Sequence, residues 1–301
     1  MKYALIDMGS NTIHLCVYEI FGREFKKLFK KKIVAGLAGY VENGILSEAG
    51  IQAAKAALKE FQEVLSSLNL PPAEIIATAS LRNIENSEEA LREITKGLNF
   101  PIRILSGEEE AQCGYYGIVH ECHPRKGFVV DIGGGSTEIS NFNEKGLIDS
   151  ESFPLGSLTL YKRCIDGHIL PTKKEQETMR SVIGKQFDSG ALKKFRSEPL
   201  PIYAVGGTAR AVLKLGNKYF GFDPDNRELK KTELQVLAEF LSDKGQDRID
   251  LILKNSPERI HTIVPGALIL RTLAGKLSAD RIEICSAGVR EGYLWERTHR
   301  N

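Results

Sequence analysis

Residues 4–12 read Ala-Leu-Ile-Asp-Met-Gly-Ser-Asn-Thr, and residues 128–137 repeat the pattern as Phe-Val-Val-Asp-Ile-Gly-Gly-Gly-Ser-Thr. In both stretches an apolar run ends in an aspartate, a glycine follows two residues later, and small polar side chains come next. An extended apolar pattern resumes after each copy, so each predicts a strand, a tight glycine turn and a second strand. A unit used twice predicts two domains of related build.

Strand-like apolar runs and helical patterns alternate along the rest of the chain, which is typical of an α/β protein. The 301 residues also fit two domains of ordinary size. We predict an α/β fold with domains at 1–118 and 119–287, and a C-terminal helix at about 288–301 that packs back on the first domain. The predicted strands lie at 3–6, 13–19, 74–78, 102–105, 128–131, 137–142, 202–205 and 282–285.

Capping side chains mark several helix starts. Ser47 is a candidate N-cap, and apolar residues then recur at helical spacing as far as Leu68. Three further pairs have the spacing of a capping box, in which two side chains three residues apart satisfy each other's backbone N–H groups. These pairs are Ser106 with Glu109, Thr172 with Glu175, and Thr232 with Gln235.

The charge balance and the hydropathy pattern exclude two classes of partner. Lys plus Arg total 41 and Asp plus Glu total 39, a net charge of +2, so the chain lacks the strong basicity of a bulk nucleic-acid binder. No apolar run approaches the roughly 20 residues that span a bilayer, and the N-terminus has no signal-peptide pattern. We expect a cytoplasmic protein that binds neither nucleic acid nor membrane, while the sequence leaves open whether it forms a homodimer.

The five cysteines are scattered and form no CxxC pair. This arrangement argues against a disulfide framework and against a zinc ribbon. One local tract, His-Glu-Cys-His at residues 120–123, fits either a transition-metal site or a surface turn before Pro124.

The two glycine turns have the chemistry of phosphate sites. Glycines let backbone N–H groups converge into an anion nest, and an aspartate at a strand end can hold a hydrated divalent cation such as Mg²⁺. Either copy alone could be an ordinary hairpin turn, but two copies favour phosphate binding. The candidate phosphate-binding residues are Gly9, Ser10, Asn11, Gly133, Gly134, Gly135 and Ser136, and the candidate metal ligands are Asp7 and Asp131.

A third glycine element, Gly-Gly-Thr-Ala-Arg at 206–210, follows the predicted strand 202–205 and runs into a helix. The free N–H groups and positive dipole end of that helix could bind another phosphate, with Gly207 and Thr208 nearest. A tight strand-to-helix turn would need the same glycines, and spacing does not separate the two interpretations.

Two charged segments also have alternative interpretations. The Ser106 capping box explains the acidic run 108–110, but one of these glutamates could instead activate a water for attack on phosphorus. The lysine-rich segment 26–32 could bind a polyanion or form the solvated edge of an amphipathic hairpin.

Taken together, the order and spacing of these motifs resemble the exopolyphosphatase and guanosine pentaphosphate phosphohydrolase family of the actin, sugar-kinase and heat-shock-ATPase superfold. The short, two-domain members are the most similar. Seven motifs carry the resemblance: residues 7–11, 77–82 with Asn86, 105–111, 131–137, 206–210, 257–270 and 288–292.

The resemblance implies two actin-like α/β domains with an interdomain cleft. It implies a Mg²⁺-dependent hydrolase that releases terminal phosphate from inorganic polyphosphate or guanosine pentaphosphate. Glu109 corresponds to the family's general base, and Arg82 to an arginine that neutralises transferred-phosphoryl charge. Asp131 and Asp7 would organise the metal. The family's usual Arg-Leu pair is absent from residues 34–40, so the basic contact that it provides is either missing here or supplied by the nearby lysines.

Two other functions are compatible with the sequence. One is an ATP-dependent kinase or ATPase of the same superfold, and the other is a non-catalytic regulator that binds guanosine tetra- or pentaphosphate. In each, the predicted partner is a small-molecule or polymeric phosphate.

Overall fold

The computed structural model describes residues 1–98, 100–188, 192, 195 and 199–299. The chain divides into two compact units, Met1–Glu110 with Tyr293–Asn301, and Ala111–Gly292. The predicted domain limits at 118/119 and 287/288 stay a prediction, and the last two residues of the predicted helix 288–301 lie outside the described residues.

The first unit contains a five-stranded sheet. Its first three strands form an antiparallel meander, and its last two run parallel to the first strand. In spatial order the strands are β3 (Glu24–Val34), β2 (Thr12–Phe21), β1 (Lys2–Met8), β6 (Glu74–Ala77) and β7 (Ile102–Ile104). A separate two-stranded ribbon consists of β4 (Val41–Glu42) and β5 (Ile45–Leu46).

One long helix covers a face of this sheet. It is α1 (Glu48–Ser67), and its N-cap is Ser47, whose side chain accepts a hydrogen bond from the Gly50 amide at 3.4 Å, as predicted. Apolar residues of α1 at helical spacing, including Leu58 and Phe61, share a buried core with alternate residues of β1. The shorter helices are α2 (Ala79–Arg82) and α3 (Ser87–Thr95), while α4 (Gly107–Cys122) begins in this unit.

The second unit repeats the strand order of the first. A meander of three antiparallel strands is followed in space by two strands parallel to the first of them, with one antiparallel strand added at the edge. The order is β10 (Gly146–Phe153), β9 (Thr137–Asn143), β8 (Gly127–Ile132), β11 (Ile202–Val205), β13 (Arg281–Ile284) and β12 (Glu228–Lys230). The repeated unit predicted from the sequence is therefore present in both sheets.

The helices of the second unit pack around one that is apolar on nearly every side. This central helix, α10 (Ile263–Lys276), contacts four others, and most of its residues are buried. These four are α5 (Ser157–Cys164), α6 (Lys173–Phe187), α7 (Gly206–Phe220) and α8 (Lys231–Ser242). The helix α9 (Gln246–Asn255) packs against α7, and the division between the two units falls within α11 (Val289–His299).

Two of the three predicted capping boxes are confirmed. Thr172 and Glu175 bond reciprocally at the start of α6, as do Ser106 and Glu109 at the start of α4. The pair Thr232 with Gln235 is wrong, because α8 follows β12 without a gap. The carboxylate of Glu233 accepts from the backbone N–H at position 230 instead, at 2.8 Å.

The third strand of each meander, β3 in the first unit and β10 in the second, is not among the strands predicted from the sequence. In β3 the lysines stand at consecutive as well as alternate positions, and a register shift interrupts its pairing with β2, so no simple alternation is visible. Most of β10 is half-buried and polar, and it too has a register shift. Among the described helices, none combines the length and the apolar character needed to cross a membrane.

Candidate active site

The first glycine turn, residues 9–11, joins β1 to β2 in the first unit. The amide of Gly9 donates to the carbonyl of Thr12 at 3.2 Å, which closes the turn. Residues beyond β3 hold the turn from outside, because the amides of Gly36 and Ala38 donate to the carbonyls of Asn11 and Ser10 at 2.9 and 2.8 Å. The backbone of this predicted phosphate loop is therefore fixed before any ligand binds.

The parallel strands of the first unit end at the same edge of the sheet. Ala77 pairs with Met8 on one side and with Ile104 on the other. The hydroxyl of Ser80 in α2 donates to the carbonyl of Met8 at 2.5 Å and ties that helix to the first loop. This edge brings together the loop after β1, the helix that carries Arg82 and the start of α4, as expected for a site at the carboxyl ends of strands.

Arg82 spans this edge. Its guanidinium donates to the carbonyl of Leu105 at 3.0 Å and to the carboxylate of Glu110 at 2.7 Å. The side chains of Arg82 and Glu110 are only 17% and 9% exposed, so the pair is largely withdrawn from water. Glu110 as the partner of Arg82 is not predicted from the sequence, since nothing local to either residue reveals a contact between distant parts of the chain.

Glu109 lies one residue earlier in α4 and has different surroundings. One carboxylate oxygen accepts from the backbone amide of Ser106 at 2.8 Å, and the other pairs with Arg103. These contacts, the Ser106 amide first, hold the pKa of Glu109 below its usual value although partial burial opposes them. Glu109 thus combines the capping role with a partly exposed, ionised carboxylate.

The second glycine turn, residues 133–136, is fixed in a similar way. The amide of Gly133 donates to the carbonyl of Ser136 at 3.0 Å, and the carbonyl of Gly134 accepts from the amides of Leu158 and Thr159 in α5. A side chain at Gly156 would overlap the backbone of Gly134. Gly156 is not among the residues predicted from the sequence, because its role depends on a close approach and not on a local pattern.

The third glycine element adjoins Asp131. Parallel pairing places Asp131 beside Val205, the last residue of β11. Gly206 follows with φ +87°, and a Cβ there would overlap the carboxylate of Asp131, while one at Gly207 would overlap the guanidinium of Arg259. The helix α7 begins at Gly206, as predicted.

Thr208 is buried, and its hydroxyl lies 3.4 Å from that of Ser157. A Cβ at Gly266 of α10 would overlap its methyl group, so Thr208 also packs against the central helix. Its predicted role in phosphate binding stays a prediction.

Arginines lie close to the third glycine element, and one of them, Arg210, is near Asp131. Burial lowers the pKa of Arg210, the nearby Arg290 lowers it further, and Asp131 acts in the opposite direction. Burial also lowers the pKa of Arg259. These arginines belong to sequence motifs but are not among the site residues predicted from the sequence. Partly buried cations close to a glycine loop are suited to phosphate oxygens.

The residues present are compatible with a bound Mg²⁺. This ion keeps several waters and needs only one or two protein carboxylates in addition to substrate phosphates. Because Gly206 has no side chain, the Asp131 carboxylate can lie against its backbone, in space that a Cβ at position 206 would fill. Among the described residues, one group of three metal-binding side chains is close enough to share an ion, and it contains neither Asp7 nor Asp131. A cation held at either aspartate would keep waters among its ligands, as Mg²⁺ does.

Comparison with known proteins fits this arrangement. Residues 16–301 match the model of the Ppx/GppA phosphatase family. The chain belongs to this family. A curated relative from Haemophilus influenzae, named "Putative exopolyphosphatase", is 27% identical over 297 residues, which cover 98% of this chain and 90% of that protein.

Solved structures share the fold. An exopolyphosphatase from Cytophaga hutchinsonii superposes with a TM-score of 0.85 at 19% identity, and the match covers 99% of this chain and 98% of that one. The Ppx/GppA family member from Aquifex aeolicus superposes with a TM-score of 0.78 at 22% identity, and the match covers 100% of this chain and 98% of that one. The predicted fold class, α/β with two units of related build, is confirmed. Membership of the Ppx/GppA family confirms the predicted enzyme class, a phosphoanhydride hydrolase.

Proposed function

We propose that this protein releases the terminal phosphate of inorganic polyphosphate, of guanosine pentaphosphate, or of both, in a Mg²⁺-dependent reaction. The observation that carries the proposal is the duplicated loop, in which an aspartate at a strand end precedes a glycine turn in each unit. Membership of the Ppx/GppA family supports it, as does the name of the Haemophilus relative.

The proposal assigns phosphate binding to the loop of each unit. Backbone N–H groups of residues 9–11 and 133–136 would bind phosphoryl oxygens, with Gly207 and Thr208 at the third element. Asp7 and Asp131 are the residues that would hold Mg²⁺, which when bound neutralises negative charge on the phosphate oxygens. Because both loops are already closed by their own backbone hydrogen bonds, little ordering is needed on binding.

The general base in this proposal is Glu109. Its carboxylate is ionised at neutral pH, as a glutamate with an ordinary or a lowered pKa is, and it is partly exposed, so a water can reach it. Glu110 is less suited, since its carboxylate is buried against Arg82. We assign Glu110 the task of orienting Arg82, whose guanidinium would neutralise charge on the transferred phosphoryl group.

Phosphate release from polyphosphate and from guanosine pentaphosphate, with Mg²⁺ and with a chelator, tests the proposal. We expect release from at least one substrate without any acceptor molecule, and loss of release on chelation. Consumption of ATP that depends on a second substrate would contradict the proposal and indicate a kinase. Tight binding of guanosine pentaphosphate without release would contradict it and indicate a regulator.

A further inference from the structure

Two cysteines far apart in the sequence face each other in the second unit. Cys122 ends α4 and Cys285 directly follows β13, and their sulfur atoms are 3.1 Å apart. Cys122 is half-buried, whereas Cys285 is 1% exposed. The backbone amide of Cys285 donates to the carbonyl of Ala204 at 2.9 Å, so its position is fixed by the sheet.

The acidic neighbour of the pair is engaged elsewhere. One oxygen of the Glu121 carboxylate accepts from Arg227 and from the hydroxyl of Ser286, both at 2.8 Å, and the other accepts from the amide of Ala287 at 2.5 Å. Although Glu121 and the two sulfurs are close enough to share a metal ion, the guanidinium beside the carboxylate opposes a cation. The chemistry left to the two sulfurs is therefore reaction with each other.

We propose that Cys122 and Cys285 form a peroxide-reactive thiol pair that converts to an intramolecular disulfide. Cys122, the less buried residue of the pair, is the thiol that reacts with a peroxide, and the buried Cys285 resolves the product. The thiol pair includes none of the residues assigned to phosphate binding or catalysis. This proposal can therefore be tested independently of the proposed function.

The surroundings of the two thiols support this division of roles. The hydrogen bond with Cys285 lowers the pKa of Cys122, which favours the reactive thiolate there. The same hydrogen bond, together with burial, raises the pKa of Cys285. Cys285 packs in an apolar cluster with Ile118 and Val205, which keeps it in place and away from oxidants.

The reaction balances in two steps. The thiolate of Cys122 attacks one oxygen of a peroxide, the O–O bond breaks, and hydroxide leaves to become water, which converts the sulfur to a sulfenic acid. The sulfur of Cys285 then attacks that of Cys122, the S–O bond breaks, and the departing hydroxide takes the thiol proton of Cys285. Two thiols and one hydrogen peroxide thus give one disulfide and two waters. Forming the bond needs an approach of about 1 Å from the present separation.

Mild treatment of the full-length protein with hydrogen peroxide tests this inference. We expect the free thiols, titrated after denaturation, to fall by two from the five in the chain, and dithiothreitol to restore them. Peptide mapping without reduction should give one cross-linked species that contains Cys122 and Cys285. An unchanged thiol count, or cross-links that involve other cysteines, would overturn the proposal.

Single substitutions separate the two roles. In Cys285→Ser we expect a stable sulfenic acid at Cys122 that dimedone traps, with no dimedone adduct in the wild type, where Cys285 removes the intermediate. In Cys122→Ser we expect Cys285 to react at least ~10-fold more slowly than Cys122 does in the wild type, because it is buried. Cys164→Ser is the control, since it removes a half-buried thiol outside the pair and should leave disulfide formation unchanged. Equal reactivity of both thiols in the single variants would contradict the assignment.

Discussion

Arg103 provides a way to test Glu109 through its pKa. The Ser106 amide and Arg103 together lower the pKa of Glu109. The carboxylate therefore stays ionised at moderately acidic pH and becomes protonated only as the pH falls through the lowered pKa. Removing the positive charge in Arg103→Gln should raise the pKa of Glu109 toward its usual value. We therefore expect the acid limb of the kcat/KM profile for phosphate release to move to higher pH.

The matched control for this prediction is Arg125→Gln, which removes an exposed arginine from the second unit. It should leave the acid limb where it is in the wild type. An acid limb that stays fixed in Arg103→Gln as well would show that another group limits the rate at low pH.

Gly206 is the backbone position on which the Asp131 site depends most. Its φ of +87° favours glycine, and a Cβ would overlap the carboxylate of Asp131. We expect Gly206→Ala to lower the free energy of unfolding by roughly 1–3 kcal/mol and to lower phosphate release more than that loss of stability explains. Urea denaturation and steady-state kinetics measure the two effects.

Gly221→Ala separates backbone strain from the displacement of Asp131. Gly221 also has a positive φ, +70°, but nothing lies within 4 Å of the position of its Cβ. It should cost roughly 1 kcal/mol of stability and leave activity unchanged. Equal losses of activity in the two variants would contradict a special role for Gly206.

At the scale of elements, β3 is the edge strand of the first sheet and leads to the first phosphate loop. Its last residue, Val34, pairs with Thr12, and its exposed lysines include Lys26 and Lys30. Of the two interpretations of this lysine-rich segment, the structure shows the hairpin edge, while polyanion binding stays a prediction. A row of lysines that ends beside the loop could guide a long polyphosphate but would lie beyond a short substrate.

Neutralising Lys26 and Lys30 to glutamine distinguishes these substrates. We expect KM for long polyphosphate to rise several-fold at low salt, with a weaker salt dependence, because fewer phosphate charges are paired. KM for tripolyphosphate should stay unchanged. The double change Lys173→Gln with Lys174→Gln, on exposed residues of α6, serves as the control. Equal effects of the two double variants would refute the role of β3.

The elements differ in how far the sequence predicts them. The strands that carry the duplicated motif are predictable, because each is a short apolar run that ends in an Asp-x-Gly turn. The edge strands β3 and β10 are not, since half-exposed strands with register shifts lose the alternation that reveals a strand. In the candidate site, too, local motifs are predictable and contacts between distant segments are not. Its loops can be read locally, but the contacts of Arg82 with Glu110 and of Gly207 with Arg259 depend on packing between distant segments.

At the scale of the molecule, the C-terminal segment is part of the first unit. The carboxylate of Glu74 at the start of β6 accepts hydrogen bonds from the hydroxyls of Tyr3 and Tyr293 and pairs with Arg297. Burial and this carboxylate raise the pKa of Tyr3. One acidic side chain therefore joins the first strand of the chain to its last helix.

Removing that carboxylate should weaken the unit. We expect Glu74→Ala to lower the free energy of unfolding by about 2–4 kcal/mol, since three donors lose a shared, largely buried acceptor. Chemical denaturation measures the change. The control is Glu93→Ala, which breaks an exposed pair with Lys96 and should cost less than about 0.5 kcal/mol. A similar cost for both variants would contradict the role of Glu74.

The central claim is that Glu109 activates water for hydrolysis of a terminal phosphoanhydride. Phosphate release from polyphosphate with Mg²⁺ should fall at least ~100-fold in Glu109→Gln, because an amide cannot take the proton, while substrate binding stays within a few-fold of wild type. Glu108→Gln, a change at the preceding residue, should keep nearly full activity. Phosphate release by Glu109→Gln at the wild-type rate would contradict the account.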